Sequence, residues 1–166
     1  MWYAYKATPI GKLLLVAAEE GLRKVSFHAP PPPDEAEHDE EKLASVVRQL
    51  DEYFEGNRKT FDLPLAPRGT PFQLAVWNAL RQIAYGDTRS YSDIARTIAR
   101  PAAVRAVGAA NGANPIPIII PCHRVIGSSG ALTGFGGGLD VKRHLLSLEA
   151  GFRGLRVASP SSRSLY

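Results

Sequence analysis

The sequence holds a single cysteine, and this scarcity excludes several classes of protein. One cysteine cannot form an internal disulfide framework or a multi-cysteine zinc site. The apolar runs are far shorter than the roughly 20 residues that a membrane-spanning helix needs, and residues 1–8 do not have the pattern of a signal peptide. We therefore expect a soluble cytoplasmic protein with no membrane partner, because a free thiol suits a reducing compartment.

Acidic residues are scarce in the second half of the chain. Residues 1–80 carry 9 Lys and Arg against 12 Asp and Glu, a net charge of −3, whereas residues 81–166 carry 11 against 4, a net charge of +7. Such asymmetry is typical of a protein with a polyanionic partner, most simply nucleic acid. A basic surface that only contacts solvent has the same composition, so this alternative stays open.

The first part of the sequence is typical of a small α/β structural domain, which we place at residues 1–66. Three strands separated by glycine turns are predicted at residues 2–7, 13–18 and 22–27, which favours an antiparallel meander. The proline and acidic stretch that begins at residue 30 predicts an exposed, mobile loop. Apolar residues at helical spacing predict a helix over 42–54, and a further strand is expected at 61–65.

The second part, residues 67–166 with a tail after residue 151, is expected to be mainly helical. Helices are predicted over residues 71–85, 91–99 and 102–111, the first two from capping boxes at their starts. The last two form a predicted helix-turn-helix, although an ordinary corner of two packed helices fits the same pattern. The fold class is therefore α+β: a small N-terminal domain with an antiparallel sheet and a helix, and a C-terminal domain with a helix-turn-helix and an active-site strand or loop.

The helix predicted over 102–111 is composed almost entirely of small residues. Ala106, Gly108 and Ala109 are among them, and Arg105 is its only long side chain. A smooth helix lets another surface come close, either a second helix or the wall of a DNA groove. If the surface is DNA, the planar guanidinium of Arg105 is able to fill the space of a displaced base. A helix that reads the major groove would instead carry several long polar side chains.

The only cysteine, Cys122, follows three isoleucines that predict a short buried strand over residues 118–120. Pro121 ends this strand, so the thiol is expected where the backbone leaves the core. His123 directly beside it, followed by Arg124, favours a lowered thiol pKa and a reactive nucleophile. A buried cysteine that acts only as a small apolar side chain remains the alternative.

Glu149 is expected on the inward face of a last helix that begins after Asp140. A carboxylate there is poorly solvated and meets the negative end of its own helix dipole, so it needs a partner. His123 is the available partner, although a surface position at a fraying helix end is also possible from the spacing. Cys122, His123 and Glu149 then supply a thiol, a base and a group that orients the base. Cysteine hydrolases use the same arrangement, so it does not by itself name a reaction.

The segment Pro121-Cys122-His123-Arg124, preceded by Asn114-Pro115 and by Arg105-Ala106-Val107-Gly108, resembles the O6-alkylguanine-DNA alkyltransferase family over about residues 67–150. The resemblance implies a DNA repair protein that flips O6-alkylguanine, and also O4-alkylthymine, out of the duplex. It implies irreversible transfer of the alkyl group to Cys122 in a single turnover, in a methylated-DNA–protein-cysteine methyltransferase that uses no cofactor and no metal.

The resemblance also implies roles for individual residues. Arg105 enters from the minor groove of double-stranded DNA and replaces the flipped base, Tyr91 contacts a phosphate and protonates the departing guanine, and Asn114 is a hinge. His123 acts on Cys122 through a water held by Glu149. Further DNA contacts are expected from Ala106, Gly108, Ala109 and Arg124, and the substrate pocket from Pro117, Val125, Phe135 and Gly136. Cooperative self-association on DNA is also expected.

Phe135 and Gly136 depart from some relatives, which have a tyrosine and a serine at these positions. The pocket is therefore expected to be more open and to lack one side-chain hydrogen bond to the lesion. Three other functions remain alternatives: a protein that only flags lesions, a helix-turn-helix regulator with an incidental cysteine, and a cysteine hydrolase. The presence of Cys122 opposes the first, the lack of base-reading side chains the second, and the Arg105 helix the third.

Overall fold

The computed structural model describes residues 1–132 and 134–151. The chain divides into two compact units, the first comprising Met1–Arg68 and the second beginning at Gly69. The boundary expected from the sequence lies two residues earlier, between residues 66 and 67. The first unit is a sheet with one helix, and the second is mainly helical. The predicted α+β class is confirmed, while the expected tail after residue 151 lies outside the described residues. Within the described ranges, no helix is long and apolar enough to cross a bilayer.

The first unit is built on three antiparallel strands, β1 (Trp2–Thr8), β2 (Gly11–Ala18) and β3 (Gly21–Ser26). They pair in the order in which they follow along the chain, so the predicted meander is confirmed. The middle strand is buried at consecutive residues, which means that both of its faces are covered. Gly21 has a φ of 146°, and a Cβ there would lie 2.5 Å from the Pro64 carbonyl oxygen, so the turn before β3 requires glycine.

A fourth strand, β4 (Glu37–His38), pairs in parallel with β1 at the edge of the sheet. The backbone N–H of Glu37 donates to the Met1 carbonyl over 2.9 Å, and that of Asp39 donates to the Tyr3 carbonyl over 2.9 Å. The sequence predicts a mobile loop here, because a polar strand of two residues has no periodicity to detect. These residues are exposed, as expected, but they are held by the sheet.

The strand predicted at 61–65 is wrong. Only one isolated bridge forms, between Leu22 and Leu65, because Pro64 has no N–H to continue a ladder. The segment is held instead by a side chain of helix α1 (Ala44–Phe54): the Gln49 amide donates to the Asp62 carbonyl over 3.0 Å and accepts from its N–H over 2.9 Å.

In the part of the second unit that the structure describes, there are four α-helices and two very short strands. They are α2 (Pro71–Leu80), β5 (Arg89–Ser90), α3 (Tyr91–Thr97), α4 (Val104–Gly112), β6 (Val125–Ile126) and α5 (Leu139–Gly151). Both predicted capping boxes are present, at Thr70 and at Ser90. Helix α2 ends at Leu80, earlier than predicted, because Gln82 and Ile83 donate to carbonyls three residues back and tighten the chain into a turn.

Helices α3 and α4 are the predicted pair: α3 ends two residues earlier than predicted, and α4 begins two residues later and ends one residue later. The indole N–H of Trp77 in α2 donates to the Ala110 carbonyl over 2.8 Å, which attaches α4 to α2 through its buried face. Val107 and Ala110 are buried against this side. Helix α4 therefore has one packed face and leaves Arg105 on its other face, where it is exposed.

Candidate active site

The isoleucines before Cys122 do not form the predicted strand. Residues 115–120 form a compact turn in which the Ile120 N–H donates to the Ile116 carbonyl over 2.9 Å, and Ile118 has a φ of 75°. Prolines at 117 and 121 flank the three isoleucines, and the positive φ of Ile118 is incompatible with an extended strand. At Pro121, φ −80° and ψ 65°, with a 2.8 Å bond from the Cys122 N–H to the Ile120 carbonyl, define an inverse γ-turn. Cys122 then begins a single 3₁₀ turn that ends at Arg124.

Two asparagines connect α4 to this turn. The Asn114 amide donates to the Ile120 carbonyl over 2.8 Å and accepts from the Ile116 N–H over 3.0 Å, so one side chain closes both ends of the turn. Asn111, inside α4, places its Nδ2 3.4 Å from the Cys122 carbonyl oxygen. The helix that carries Arg105 is thus bonded directly to the cysteine segment.

Glu149 lies at the centre of a buried network. Its Oε2 is 2.7 Å from Nε2 of His123, and the Arg124 guanidinium donates to Oε1 over 2.8 Å and to Oε2 over 3.0 Å. His123 is 0% exposed and Glu149 is 1% exposed. The inward position of Glu149 and its pairing with His123 agree with the sequence, whereas its part in the chemistry stays a prediction.

Arg124 does not occupy the DNA-facing position that the sequence predicts. It is 6% exposed, and besides its bonds to Glu149 it donates to the Ile83 carbonyl over 2.7 Å. A buried guanidinium committed to these acceptors is unavailable to a phosphate. The expected DNA contact by Arg124 is therefore wrong, and its observed contacts support the carboxylate of Glu149.

The charges of this network fix the tautomer of His123. Burial opposes ionisation of Glu149, but His123 and Arg124 outweigh it and hold the pKa of the carboxyl well below its usual range. Burial lowers the pKa of His123, against the pull of Glu149, so the imidazole is neutral near pH 7. Because Nε2 donates to the carboxylate, Nδ1 carries the lone pair. Nδ1 is buried and has no hydrogen-bond partner among the described residues.

The thiol itself is protonated in the resting protein. Cys122 is 4% exposed, and burial raises the pKa of its thiol to about 11, although the Asn114 side chain and Lys142 oppose this effect. The expectation of a lowered thiol pKa is wrong, because burial outweighs the groups that favour the thiolate. The site therefore needs a group that removes the proton during reaction.

Sequence reasoning missed Lys142. It is 0% exposed on α5, and its ammonium group donates to the Val125 carbonyl over 2.7 Å. Burial lowers the pKa of Lys142 to about 8, against the opposing effect of Cys122. Its spacing gave a signal, since Lys142, Leu145 and Glu149 lie on one helical face. The charge of Lys142 lowers the thiol pKa of Cys122, against the effect of burial, and so favours the thiolate.

The other predicted site residues lie around this centre. Tyr91 begins α3, and its ring lies 3.9 Å from where a Cβ on Gly108 would stand. Ala106 and Ala109 are exposed beside Arg105 on α4. In the predicted pocket, Pro117 and Val125 are buried, Phe135 is half-buried, and a Cβ on Gly136 would meet no atom within 4 Å.

Two family models match this chain. The model described as the 6-O-methylguanine DNA methyltransferase, ribonuclease-like domain matches residues 1–67, and the one described as its DNA binding domain matches residues 71–151. The methylated-DNA–protein-cysteine methyltransferase of Methanosarcina acetivorans is 52% identical over 153 residues, which cover 90% of this chain and 98% of that protein. The constitutive enzyme of that name from Bacillus subtilis is 46% identical over 156 residues, with 89% and 94% covered.

Solved structures agree with these matches. The crystal structure of Mycobacterium tuberculosis OGT in complex with DNA superposes with a TM-score of 0.87 at 47% identity, covering 91% of this chain and 94% of that chain. The crystal structure of the Mycobacterium tuberculosis O6-methylguanine methyltransferase gives a TM-score of 0.84 at the same 47% identity, with 90% and 93% covered. The chain belongs to the 6-O-methylguanine DNA methyltransferase family, whose members are named methylated-DNA–protein-cysteine methyltransferases.

Proposed function

We propose that this protein repairs alkylated DNA by taking the alkyl group of O6-alkylguanine onto Sγ of its own Cys122. Its membership of the family supports methyl transfer from DNA to a protein cysteine. The observation that carries the proposal is the buried Cys122, which is followed by a His123 paired with Glu149 and is bonded to the helix that exposes Arg105. The thioether product is stable, so each molecule acts once.

The reaction begins with removal of the thiol proton. Displacement at an sp³ carbon needs a thiolate, and the thiol pKa of about 11 means that a base must generate it. Nδ1 of His123 accepts this proton, directly or through one water, and Glu149 stabilises the resulting imidazolium. The nearby Lys142 ammonium stabilises the thiolate.

The sulfur then attacks the alkyl carbon. The S–C bond forms as the C–O6 bond breaks, and the electron pair of that bond stays with the guanine. The Tyr91 hydroxyl, at the start of α3, supplies a proton to the departing base and regains one from solvent. No tetrahedral intermediate forms on a carbonyl, so the site requires no oxyanion hole.

Cys122 cannot reach a base that remains stacked in the duplex, because it is 4% exposed. The damaged nucleotide therefore turns out of the helix and enters the protein. Arg105 occupies the space that it leaves, from the minor groove, and the small side chains of Ala106, Gly108 and Ala109 let the groove walls approach α4. Asn114 keeps the helix and the cysteine turn in register during this insertion.

The flipped base is held between Pro117, Val125, Phe135 and Gly136. The main-chain carbonyls of Cys122 and Val125 accept hydrogen bonds from the guanine edge. The open space around Gly136 suits alkyl groups larger than methyl. O4-alkylthymine is a second substrate, because its alkylated oxygen occupies the same place relative to the ring nitrogen.

The charge asymmetry and the single thiol of the chain bear on how copies assemble and where the protein acts. Residues 1–80 have a net charge of −3 and residues 81–166 a net charge of +7, which favours side-by-side assembly of copies along DNA. The single thiol suits the reducing cytoplasm, where we place the protein.

A stoichiometric titration tests the proposal. Increasing amounts of duplex with O6-methylguanine are added to a fixed amount of protein, and the repaired guanine is counted. We expect a plateau at one repaired base per molecule, and Cys122→Ser should repair none while still binding the duplex. Repair that continues past this plateau, or persists in Cys122→Ser, would overturn the proposal.

A further inference from the structure

Asn111 is a buried side chain beside the nucleophile that the proposed chemistry does not use. It lies in α4, six residues after Arg105, and is 4% exposed. Its Nδ2 is 3.4 Å from the Cys122 carbonyl oxygen, while its Oδ1 is buried and has no hydrogen-bond partner among the described residues. Buried polar atoms are nearly always paired, so this acceptor indicates a ligand that arrives later.

The side-chain amide of Asn111 makes only a weak hydrogen bond to the Cys122 carbonyl. A separation of 3.4 Å is long for a hydrogen bond from N–H to oxygen, and the Cys122 carbonyl already accepts from the Val125 N–H. The terminal torsion of asparagine is broad, and a half-turn exchanges its donor and its acceptor. Asn111 is therefore able to present either kind of group at the same place.

O6-alkylguanine and O4-alkylthymine differ in the hydrogen-bonding character of the substituent at position 2 of the ring. In both, the alkylated oxygen is followed around the ring by a nitrogen that accepts hydrogen bonds, and then by the substituent at position 2. In O6-alkylguanine that substituent is an amino group, which donates. In O4-alkylthymine it is a carbonyl oxygen, which accepts and is repelled by the carbonyls of Cys122 and Val125.

We propose that Asn111 reads the substituent at position 2 of the flipped base and thereby admits both O6-alkylguanine and O4-alkylthymine. Oδ1 accepts from the guanine amino group, and after a half-turn of the amide Nδ2 donates to the thymine carbonyl. Asn111 is a specificity-determining residue on this account, which rests on the proposed function. The covalent step is unchanged, except that the C–O4 bond breaks and the electron pair stays with the pyrimidine.

The test compares single-turnover rates of the full chain on duplexes that carry O6-methylguanine or O4-methylthymine. Asn111→Asp keeps an acceptor for the guanine amino group but removes the donor for the thymine carbonyl, whereas Asn111→Leu removes both groups. We expect the ratio of the thymine rate to the guanine rate to fall about tenfold in Asn111→Asp, as for the loss of one buried hydrogen bond, and both rates to fall in Asn111→Leu. Asn111→Ser keeps a donor and an acceptor in its hydroxyl and should retain the ratio within about threefold. Ala113→Ser, at an exposed residue after α4, is the control and should change neither rate.

The ratio separates this role from a structural one, because damage to the fold or to the thiol slows both lesions together. An unchanged ratio in Asn111→Asp would overturn the inference, as would a wild-type protein that repairs the guanine lesion but not the thymine lesion. Both results leave the proposed function intact. Failure of the wild-type protein on both lesions would instead reject the proposed function. If Asn111→Leu does not fold, the comparison of Asn111→Asp with Asn111→Ser decides.

Discussion

Nε2 of His123 lies 2.7 Å from Oε2 of Glu149, with both side chains buried. This contact fixes the proton of the neutral imidazole on Nε2 and leaves Nδ1 as the only ring atom able to accept the thiol proton. Arg124 holds the same carboxylate from its other side, so Glu149 is kept charged in spite of its burial. The state of the base is therefore set by an electrostatic network around it.

Replacement of Glu149 by glutamine tests that network. Glu149→Gln no longer stabilises the imidazolium, so we expect single-turnover alkyl transfer to slow by roughly 10²-fold, the lower range for loss of assistance to proton transfer. The variant also leaves the Arg124 charge buried without its partner, and its melting temperature should fall. Asp140→Asn, an exposed carboxylate on the same helix, is the control for transfer rate and melting temperature. A rate equal to that of the wild type would remove Glu149 from the mechanism.

Replacement of Arg124 tests whether its guanidinium supports Glu149 or contacts DNA. Arg124→Met removes a guanidinium bonded to Glu149 and to the Ile83 carbonyl, so it should destabilise the protein by about 3–5 kcal/mol, the usual cost of breaking a buried ion pair. The affinity of the folded variant for undamaged DNA and its dependence on salt should not change. A reduced salt dependence would show that Arg124 contacts a phosphate after all.

The lowered pKa of Lys142 leads us to expect that the rate of alkyl transfer declines at alkaline pH. The imidazole of His123 is a base only when neutral, and burial lowers its pKa, so transfer should persist at pH values below the usual pKa of histidine. The ammonium of Lys142 loses its proton near a pKa of about 8, and the rate should then decline. Lys142→Met should be slower near pH 7 and should lack this alkaline decline, whereas Arg143→Met should keep it. A decline that is the same in Lys142→Met would assign it to another group.

The same lysine also affects stability. Its pKa falls from 10.5 to about 8 on folding, so between these values the unfolded chain binds more protons and stability rises with pH. The thiol of Cys122 acts in the opposite direction above pH 9, because its pKa rises from 9.0 to about 11. Urea unfolding of the wild type should therefore show stability climbing from pH 8 to 9 and then levelling. Lys142→Met should lose the climb, and a climb of equal size in that variant would contradict the linkage.

Arg105 should matter for duplex DNA and not for the chemistry. Extrusion of a paired base costs a few kcal/mol, so Arg105→Ala should repair a methylated duplex at least roughly tenfold more slowly. Its reaction with free O6-methylguanine base should be unchanged, as should both reactions of Arg100→Ala, which replaces an exposed arginine before α4. Equal losses on duplex and on free base would exclude the insertion of Arg105 into the stack.

Local signals in the sequence predicted the local structure well. The capping boxes at Thr70 and Ser90 placed two helix starts correctly, because each depends on side chains only three residues apart. The inward position of Glu149 followed from helical spacing, and the same spacing would have identified Lys142. The tripeptide of isoleucines was misassigned because flanking prolines and the side chain of Asn114, rather than the apolar run, determine the turn.

Partners that are distant in the chain could not be predicted. The guanidinium of Arg124 is bonded to Glu149 and to the Ile83 carbonyl, which lie 25 and 41 positions away along the chain. Its position next to His123 in the sequence therefore gives no sign of its burial. The raised pKa of the Cys122 thiol depends on burial in the folded unit, which adjacency to a histidine does not reveal. The unpaired oxygen of Asn111 depends on which groups pack around Cys122 in the folded unit, and the sequence does not show these neighbours.

The location of the transferred group tests the central claim most directly. The protein is mixed with duplex DNA whose O6-methylguanine carries an isotopically labelled methyl group, and the label is mapped by peptide mass spectrometry. We predict one labelled methyl group per molecule, all of it on the sulfur of Cys122. Label on any other residue, or label released into solution while Cys122 stays unmodified, would contradict the account.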